Sequence, residues 1–237
     1  MAATKTRILV VDDHPMIRER LVQLIDREPN LANCGQATNG PETLQAIEKL
    51  RPDMVILDLS MEGSHGTELI KDIKARDKNV LILVLTMHDE SLYAERAIRA
   101  GARGYVAKHE GSEKVKEAIR SVLKGELFVS KEVIARILEK TARGVTDAVA
   151  SPFEALSDRE LEVFQLLGLG YGPSEIAKRL HLSVRTVEGY GVRIRGKLNL
   201  KGASELVQYA IQLNNWKDSQ TLARSARRTG PPSDNPS

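Results

Sequence analysis

The sequence predicts an α/β protein: a doubly wound, five-stranded parallel sheet in the first half, followed by a separate all-α domain. Three observations carry this. Apolar strand-like runs alternate with helix-period stretches as far as residue 124 and then cease. The runs are continuously apolar rather than alternating, which suits strands covered by helices on both faces. The second half holds several short amphipathic stretches, each with its own helix-start signals.

Taken in order, the strand signals are RILVVD (7–12), MVILDL (54–59), VLILVLT (80–86) and GYVA (104–107), with LANCGQAT (31–38) a weaker fifth. Helix-like stretches lie between and after them, at 15–27, 40–50, 66–76, 90–100 and 112–124. Leu44, Ile47 and Leu50 fall on one helical face, as do Val115, Ile119, Val122 and Leu123. Five such β–α repeats make a doubly wound domain over residues 6–124.

Residues 125–154 read as a polar linker with one helix at SKEVIARILEKTAR (130–143) and a loose stretch, TDAVASPFEA, running on to residue 155. A compact helical domain is expected over 155–215. Its first helix opens with a capping box, Ser157 with Glu160 three residues on. Pro173 suits the first turn of the second helix, and Ser183 caps the third. ASELVQYAIQLNNW forms the fourth. The tail, 217–237, lacks apolar periodicity and ends rich in Pro and Ser, so it is expected to be disordered.

Composition narrows the function classes. Aromatics make up 4% of the chain, too few for a surface built on stacking. Cys34 is the single cysteine, which excludes an intrachain disulfide and a multi-cysteine metal site. No signal-peptide layout and no run near the ~20 apolar residues of a membrane span is seen, so a cytoplasmic protein with no membrane partner is expected. The net charge of +3 is uneven: residues 1–124 hold 19 basic and 19 acidic side chains, whereas 174–201 hold 7 against 2. A locally basic segment points to a polyanion, or to an ordinary solvated helix face.

In open parallel sheets, sites form beyond the carboxyl ends of the strands. There the first strand delivers Asp12 and Asp13, the third Asp58, the fourth Thr86, and the fifth is followed by Lys108. Adjacent carboxylates at the end of a buried strand call for a cation, and Mg²⁺ prefers such hard oxygens. Lys108 and Thr86 suit an incoming phosphoryl group, and Asp58 suits a nucleophile that forms an acyl phosphate.

The pieces LVVDDHP, VILDLSM, LVLTMHDE and GARGYVAK together resemble the receiver domain of two-component response regulators, a flavodoxin-like fold, over residues 6–124. The resemblance implies phosphorylation at Asp58. It implies Mg²⁺ held directly by Asp13, Asp58 and the backbone carbonyl of Ser60, with Asp12 helping through water. It implies phosphoryl contacts from Thr86 and Lys108, and an aromatic switch at Tyr105 that turns inward when Thr86 moves. Ser60 and His88 match positions that border the attacking water and so influence the lifetime of the phosphate. Where the family often has proline, this chain has Glu62 in DLSMEGSHG, which removes a stiff turn.

In the second half, two helices joined by HLS have helix-turn-helix spacing. On the third helix, Val187, Gly191, Ile194 and Leu198 share the core side. The run 156–211, with LSDRELEVF, EIAKRLHLSVRTVE and IRGKLNL, resembles the LuxR/NarL-type DNA-binding domain. A receiver joined to it is similar to the NarL/FixJ regulators. The resemblance carries base contacts onto Glu188, Gly189 and Val192. Arg185, Thr186, Arg193, Arg195 and Lys197 are then the neighbouring contacts, the basic ones chiefly to phosphates. The fourth helix matches the family's pairing segment, where Ala203, Leu206, Val207 and Ala210 either form a dimer face or complete the core.

The expected function is thus a response regulator, not an enzyme. A sensor histidine kinase supplies the phosphoryl group, and Asp58 phosphorylation controls binding to double-stranded DNA, with a homodimer formed on phosphorylation. Two rival readings use the same residues: a Mg²⁺-dependent phosphatase with Asp58 as nucleophile, and a regulator that works without phosphorylation.

Overall fold

The computed structural model describes residues 5–61, 66–142 and 152–213. Glu62, the stretch 143–151 and the tail 217–237 lie outside the described residues. The chain divides into two compact units, residues 1–148 and 149–237.

In the first unit, β1 (Thr6–Val11), β2 (Leu31–Ala37), β3 (Met54–Leu57), β4 (Leu81–Thr86) and β5 (Gly104–Ala107) form one parallel sheet in the order β2-β1-β3-β4-β5. Helices α1 (Pro15–Asp26), α2 (Gly40–Leu50), α3 (Thr67–Arg76), α4 (Glu90–Ala100) and α5 (Ser112–Leu123) follow the strands in turn. β3 is buried at every position and β1 from Ile8 onward. Ile8, Val10, Met54, Ile56, Leu83 and Leu85 pack with Ile25, Ile119 and Val122 in one core. Each such fully buried aliphatic side chain contributes about 1.5–3 kcal/mol relative to exposure.

The weak strand signal at 31–38 has a structural cause. β2 lies at the edge of the sheet, and its register slips beside Cys34, so that Ile8 pairs with Asn33 but Leu9 with Gly35. Asn33 repairs the bulge by donating its side-chain amide to Ile8 O (3.3 Å) and Gly35 O (3.0 Å). A Cβ at Gly35 would stand 2.5 Å from Leu50 Cδ1, so any larger residue there would displace that side chain.

After α5 the chain adds Phe128 to the open edge of β5. Tyr105 donates its backbone N–H to Phe128 O (2.8 Å), and Phe128 donates to Arg103 O (3.0 Å). Helix α6 (Lys131–Ala142) then packs on α4. Val133 is buried, Glu90 accepts from Ser130 N (2.8 Å), and Arg136 Nη1 donates to Ser91 O (2.5 Å). Within the first unit the start of the linker is therefore docked on α4 and β5.

The second unit opens with a 3₁₀ turn, Pro152–Ala155, followed by α7 (Asp158–Gly168), α8 (Pro173–Arg179), α9 (Val184–Leu198) and α10 (203–213). The capping box at Ser157 and Glu160 is present, with Ser157 N donating to Glu160 Oε2 at 2.7 Å. Phe153 was expected in the loose linker, but its ring packs on Phe164 (5.4 Å between centroids) and Tyr209 (6.0 Å). An aromatic ring is too costly to leave in water when two others are within reach.

Leu161, Phe164, Ile176, Val187, Ile194 and Leu206 fill the centre of this unit. Gly196 sits on α9 with open space where a Cβ would be. Gly196→Ala is therefore expected to stabilise the second unit by about 1 kcal/mol, because glycine costs a helix that much. Equilibrium urea unfolding checks it, and no gain in midpoint would count against it.

Candidate functional site

The strand order reverses between β1 and β3, and a crevice opens there beyond the strand ends. Both strands end in carboxylates: Asp12 and Asp58 are each 1% exposed, while Asp13 is partly open to solvent. Lys108, which follows β5, reaches across to both, with Nζ 2.6 Å from Asp12 Oδ2 and 2.7 Å from Asp58 Oδ2. Burial acts to lower the Lys108 pKa, but the Asp58 charge and the hydrogen bonds to Asp12 and Asp58 outweigh it and raise the pKa. The ammonium is firmly charged.

The remaining oxygens are oriented from nearby. Asp58 Oδ1 accepts from Ser60 N (3.0 Å), and Asp12 Oδ1 accepts from His14 N (2.9 Å). Arg18 donates to the Asp12 carbonyl at 2.7 Å. His14 Nδ1 lies 2.6 Å from Asp13 Oδ1 and 3.3 Å from Asp12 Oδ1. One ligand atom from each of Asp12, Asp13, His14 and Asp58 falls within 4.8 Å of all the others. Three carboxylates face the single Lys108 ammonium, so the pocket retains negative charge, and its donors are mostly hard oxygens. That chemistry fits a divalent cation. His14 carries no role in the sequence reading. Its signal was its place directly after Asp12 and Asp13, but only the fold turns its ring back onto them.

A line of hydrogen bonds leads away from the pocket. Thr86 is fully buried, with its hydroxyl 2.9 Å from Ser60 Oγ and 3.4 Å from His88 N. Tyr105 donates its phenol to His88 O at 2.9 Å. Burial, then the neighbouring Tyr93 and carboxylates, push the Tyr105 pKa well up, so the phenol stays a donor. Tyr105 is 2% exposed, so its ring already lies inside. The same residue holds Phe128 through its backbone N–H. Asp58, Ser60, Thr86, His88, Tyr105 and Phe128 thus form one connected series, all within the first unit.

In the second unit, α8 and α9 are joined through His181, which takes a left-handed φ of 52° to make the short turn. Ser183 caps α9 by accepting from Thr186 N at 3.0 Å, and their hydroxyls stand 2.7 Å apart. Thr186 is therefore engaged in the cap. Arg185, Glu188, Val192 and Arg193 are exposed, and Val192 is an unusual apolar residue to find at 59% exposure. Gly189 leaves open space beside Arg193 Nη1. Arg193 stacks on Tyr190 at 4.5 Å. Lys197 is exposed but its ammonium reaches Glu160, with Nζ 2.6 Å from Oε2. On α10, Leu206 and Ala210 are buried, and Ala203, Leu206 and Val207 line a groove of about 750 Å³ together with Val192 and Glu188.

The chain matches two family models: the response regulator receiver domain over residues 8–120, and the luxR family of bacterial regulatory proteins over residues 154–210. It is 36% identical over 211 residues to the oxygen regulatory protein NreC of Staphylococcus epidermidis, covering 87% of this chain and 97% of that one. Among solved structures it is similar to RcsB of Salmonella enterica serovar Typhimurium bound to a promoter in the presence of the phosphomimetic BeF₃⁻. That likeness has 26% identity and a TM-score of 0.54, over 87% of this chain and 98% of the other. A structure of two RcsB dimers bound to two parallel DNAs matches with 25% identity and a TM-score of 0.52, over 87% and 98% of the two chains. A charged crevice at the switch point of a parallel sheet, a separate helix-turn-helix unit and these relatives lead to one conclusion: the chain belongs to the NarL/FixJ family of response regulators, with a receiver domain followed by a LuxR-type DNA-binding domain.

Proposed function

We propose that Asp58 is the phosphoacceptor of this regulator and that its phosphorylation controls binding of α9 to double-stranded DNA. The observation that carries the reading is the position of Asp58, buried at the switch point, paired with Lys108 and joined by hydrogen bonds to the docked linker. A sensor histidine kinase is the donor. An Asp58 oxygen attacks the phosphorus of phosphohistidine, the P–N bond breaks, and the imidazole leaves with a proton. The product is an acyl phosphate.

Asp12, Asp13 and Asp58, with the Ser60 carbonyl, would hold Mg²⁺. When bound, the ion offsets the charge gathered on the transferring phosphoryl group. Lys108 contributes a fixed positive charge at the acceptor oxygen. Thr86, now bonded to Ser60, is placed to donate instead to a phosphoryl oxygen, which would release Ser60 and alter the His88–Tyr105 end of the series. A change at Tyr105 reaches Phe128 directly, and α6 follows Phe128 in the chain.

On the DNA side, the 15-residue, capped α9 presents Glu188, Gly189 and Val192 toward base edges. A glutamate accepts from cytosine N4, and valine meets a thymine methyl. Arg185 supplies a phosphate contact. The phosphorylated chain acts as a homodimer in the cytoplasm, as a regulator rather than an enzyme. The reported DNA-bound dimers of RcsB support that assembly. Among the described residues no helix is long and apolar enough to cross a membrane.

Selection of duplexes from a random pool, followed by fluorescence anisotropy, tests this. Acetyl phosphate should tighten binding of the wild type roughly tenfold, about 1.4 kcal/mol, and leave Asp58→Ala unchanged. An equal response from both proteins would sink the proposal.

A further inference from the structure

Four basic side chains of α9, Arg185, Arg193, Arg195 and Lys197, are natural candidates for DNA phosphates, but the structure does not leave them equally available. Glu160, the capping-box glutamate of α7, is 2% exposed. Its Oε2 accepts from Ser157 N (2.7 Å) and from Lys197 Nζ (2.6 Å), and its Oε1 lies 3.5 Å from Arg193 Nε. Arg185 is exposed, and the half-buried Arg195 donates Nε to the Gly191 carbonyl at 3.4 Å with no carboxylate contact among the described residues, whereas the more exposed Arg193 and Lys197 are held by Glu160 through their charged ends.

Resting on the reading of α9 as the DNA-binding helix, we infer that Glu160 is a positioning residue that withholds Lys197 and Arg193 from the DNA backbone. Arg185 and Arg195 are then left to supply the phosphate contacts. A phosphate that captured Lys197 would leave a buried carboxylate with the Ser157 N–H and, as its cation, only the longer Arg193 contact, and an undercompensated buried charge is unfavourable. Although burial acts to raise the Glu160 pKa, the Lys197 and Ser157 hydrogen bonds outweigh it and lower the pKa, in keeping with a carboxylate that stays ionised. The pair also ties the end of α9 to the start of α7, so the same contact that removes charge from the interface sets the angle of the helix.

Salt dependence reads this out, because each phosphate contact adds about 0.9 to the slope of log Kd against log salt. The probe is a fluorescent mixed-sequence duplex, titrated with the full-length, acetyl phosphate-treated chain in increasing KCl. Arg185→Gln should lower the slope by about 0.9. Glu160→Gln keeps the cap, since glutamine also serves at that position, and should raise the slope by about one to two as Lys197 and Arg193 are freed. Adding Lys197→Gln to Glu160→Gln should remove about one of that gain. The inference is overturned if Glu160→Gln leaves the slope unchanged or lowers it, or if the double variant falls below the wild type by as much as Arg185→Gln. Helical circular dichroism of each variant separates misfolding from a changed slope. Failure of the wild type to bind the duplex at any salt would overturn the DNA-binding reading instead.

Discussion

Incubated with acetyl phosphate and Mg²⁺, the wild-type chain is expected to gain one phosphoryl group, and Asp58→Ala none. Intact-mass spectrometry reads the difference directly. Asp58 is the carboxylate with both a buried position and a direct ammonium partner at the end of β3, with Lys108 Nζ at 2.7 Å. Asp12 shares the same ammonium and likewise accepts from a backbone N–H, so what sets Asp58 apart is its place at the end of β3, bonded through Ser60 to Thr86. Omitting Mg²⁺ should suppress the adduct, because one ammonium cannot offset three carboxylates and an incoming phosphoryl anion. An adduct of equal size in Asp58→Ala would move the acceptor elsewhere. A complete absence of adduct on the wild type, both from acetyl phosphate and from phosphorylated kinases, would favour a regulator that works without phosphorylation.

Lys108→Met is expected to destabilise the first unit by about 3–5 kcal/mol at neutral pH, because removing one partner strands the others as buried charges. Asp12 and Asp58 would then confront each other and Asp13 with no cation between them. Urea unfolding checks the loss, and Mg²⁺ should restore part of it, since an ion that binds only the folded state stabilises by mass action. A loss below about 1 kcal/mol would mean that the pair is weak, as exposed ion pairs are. The sign with pH follows from the raised Lys108 pKa. Its contribution is complete below the ordinary lysine value of 10.5 and is lost as pH rises through the higher folded value. The Glu160 contribution in the second unit runs the opposite way. It is complete above the ordinary 4.5 and disappears as pH falls through the depressed folded value.

The docked linker gives the hydrogen-bond series a destination. Phe128 extends the sheet beyond β5, and α6 is anchored on α4 through Glu90 and Ser91. The residue that closes the series, Tyr105, touches both ends: its phenol holds His88 O, and its backbone holds Phe128 O. A rearrangement at Thr86 therefore has a short route to the linker, made of consecutive hydrogen bonds.

Much of the molecule was legible in the sequence. Continuously apolar runs marked the central strands, because burial on both faces leaves no polar position to break the pattern. The strand-end rule then brought Asp12, Asp13, Asp58, Thr86 and Lys108 to one side, while the strand order came from the structure. The caps at Ser157 and Ser183 were readable because capping is local, a matter of residues three apart. β2 was faint for the complementary reason: an edge strand with a bulge is half-buried and needs no continuous apolar run.

Only the tertiary structure decided how charges at the sites are spent. Sequence spacing places Lys197 on α9 beside other basic residues, but its partner Glu160 is 37 positions away, on α7. Phe153 looks like linker until Phe164 and Tyr209 come within ring contact of it. His14 has no role in the sequence reading, and only the fold brings its ring back onto Asp13. Periodicity and capping act within a few residues and survive in the linear order. Ion pairing and aromatic packing depend on which distant segments meet, and that is set when the cores close.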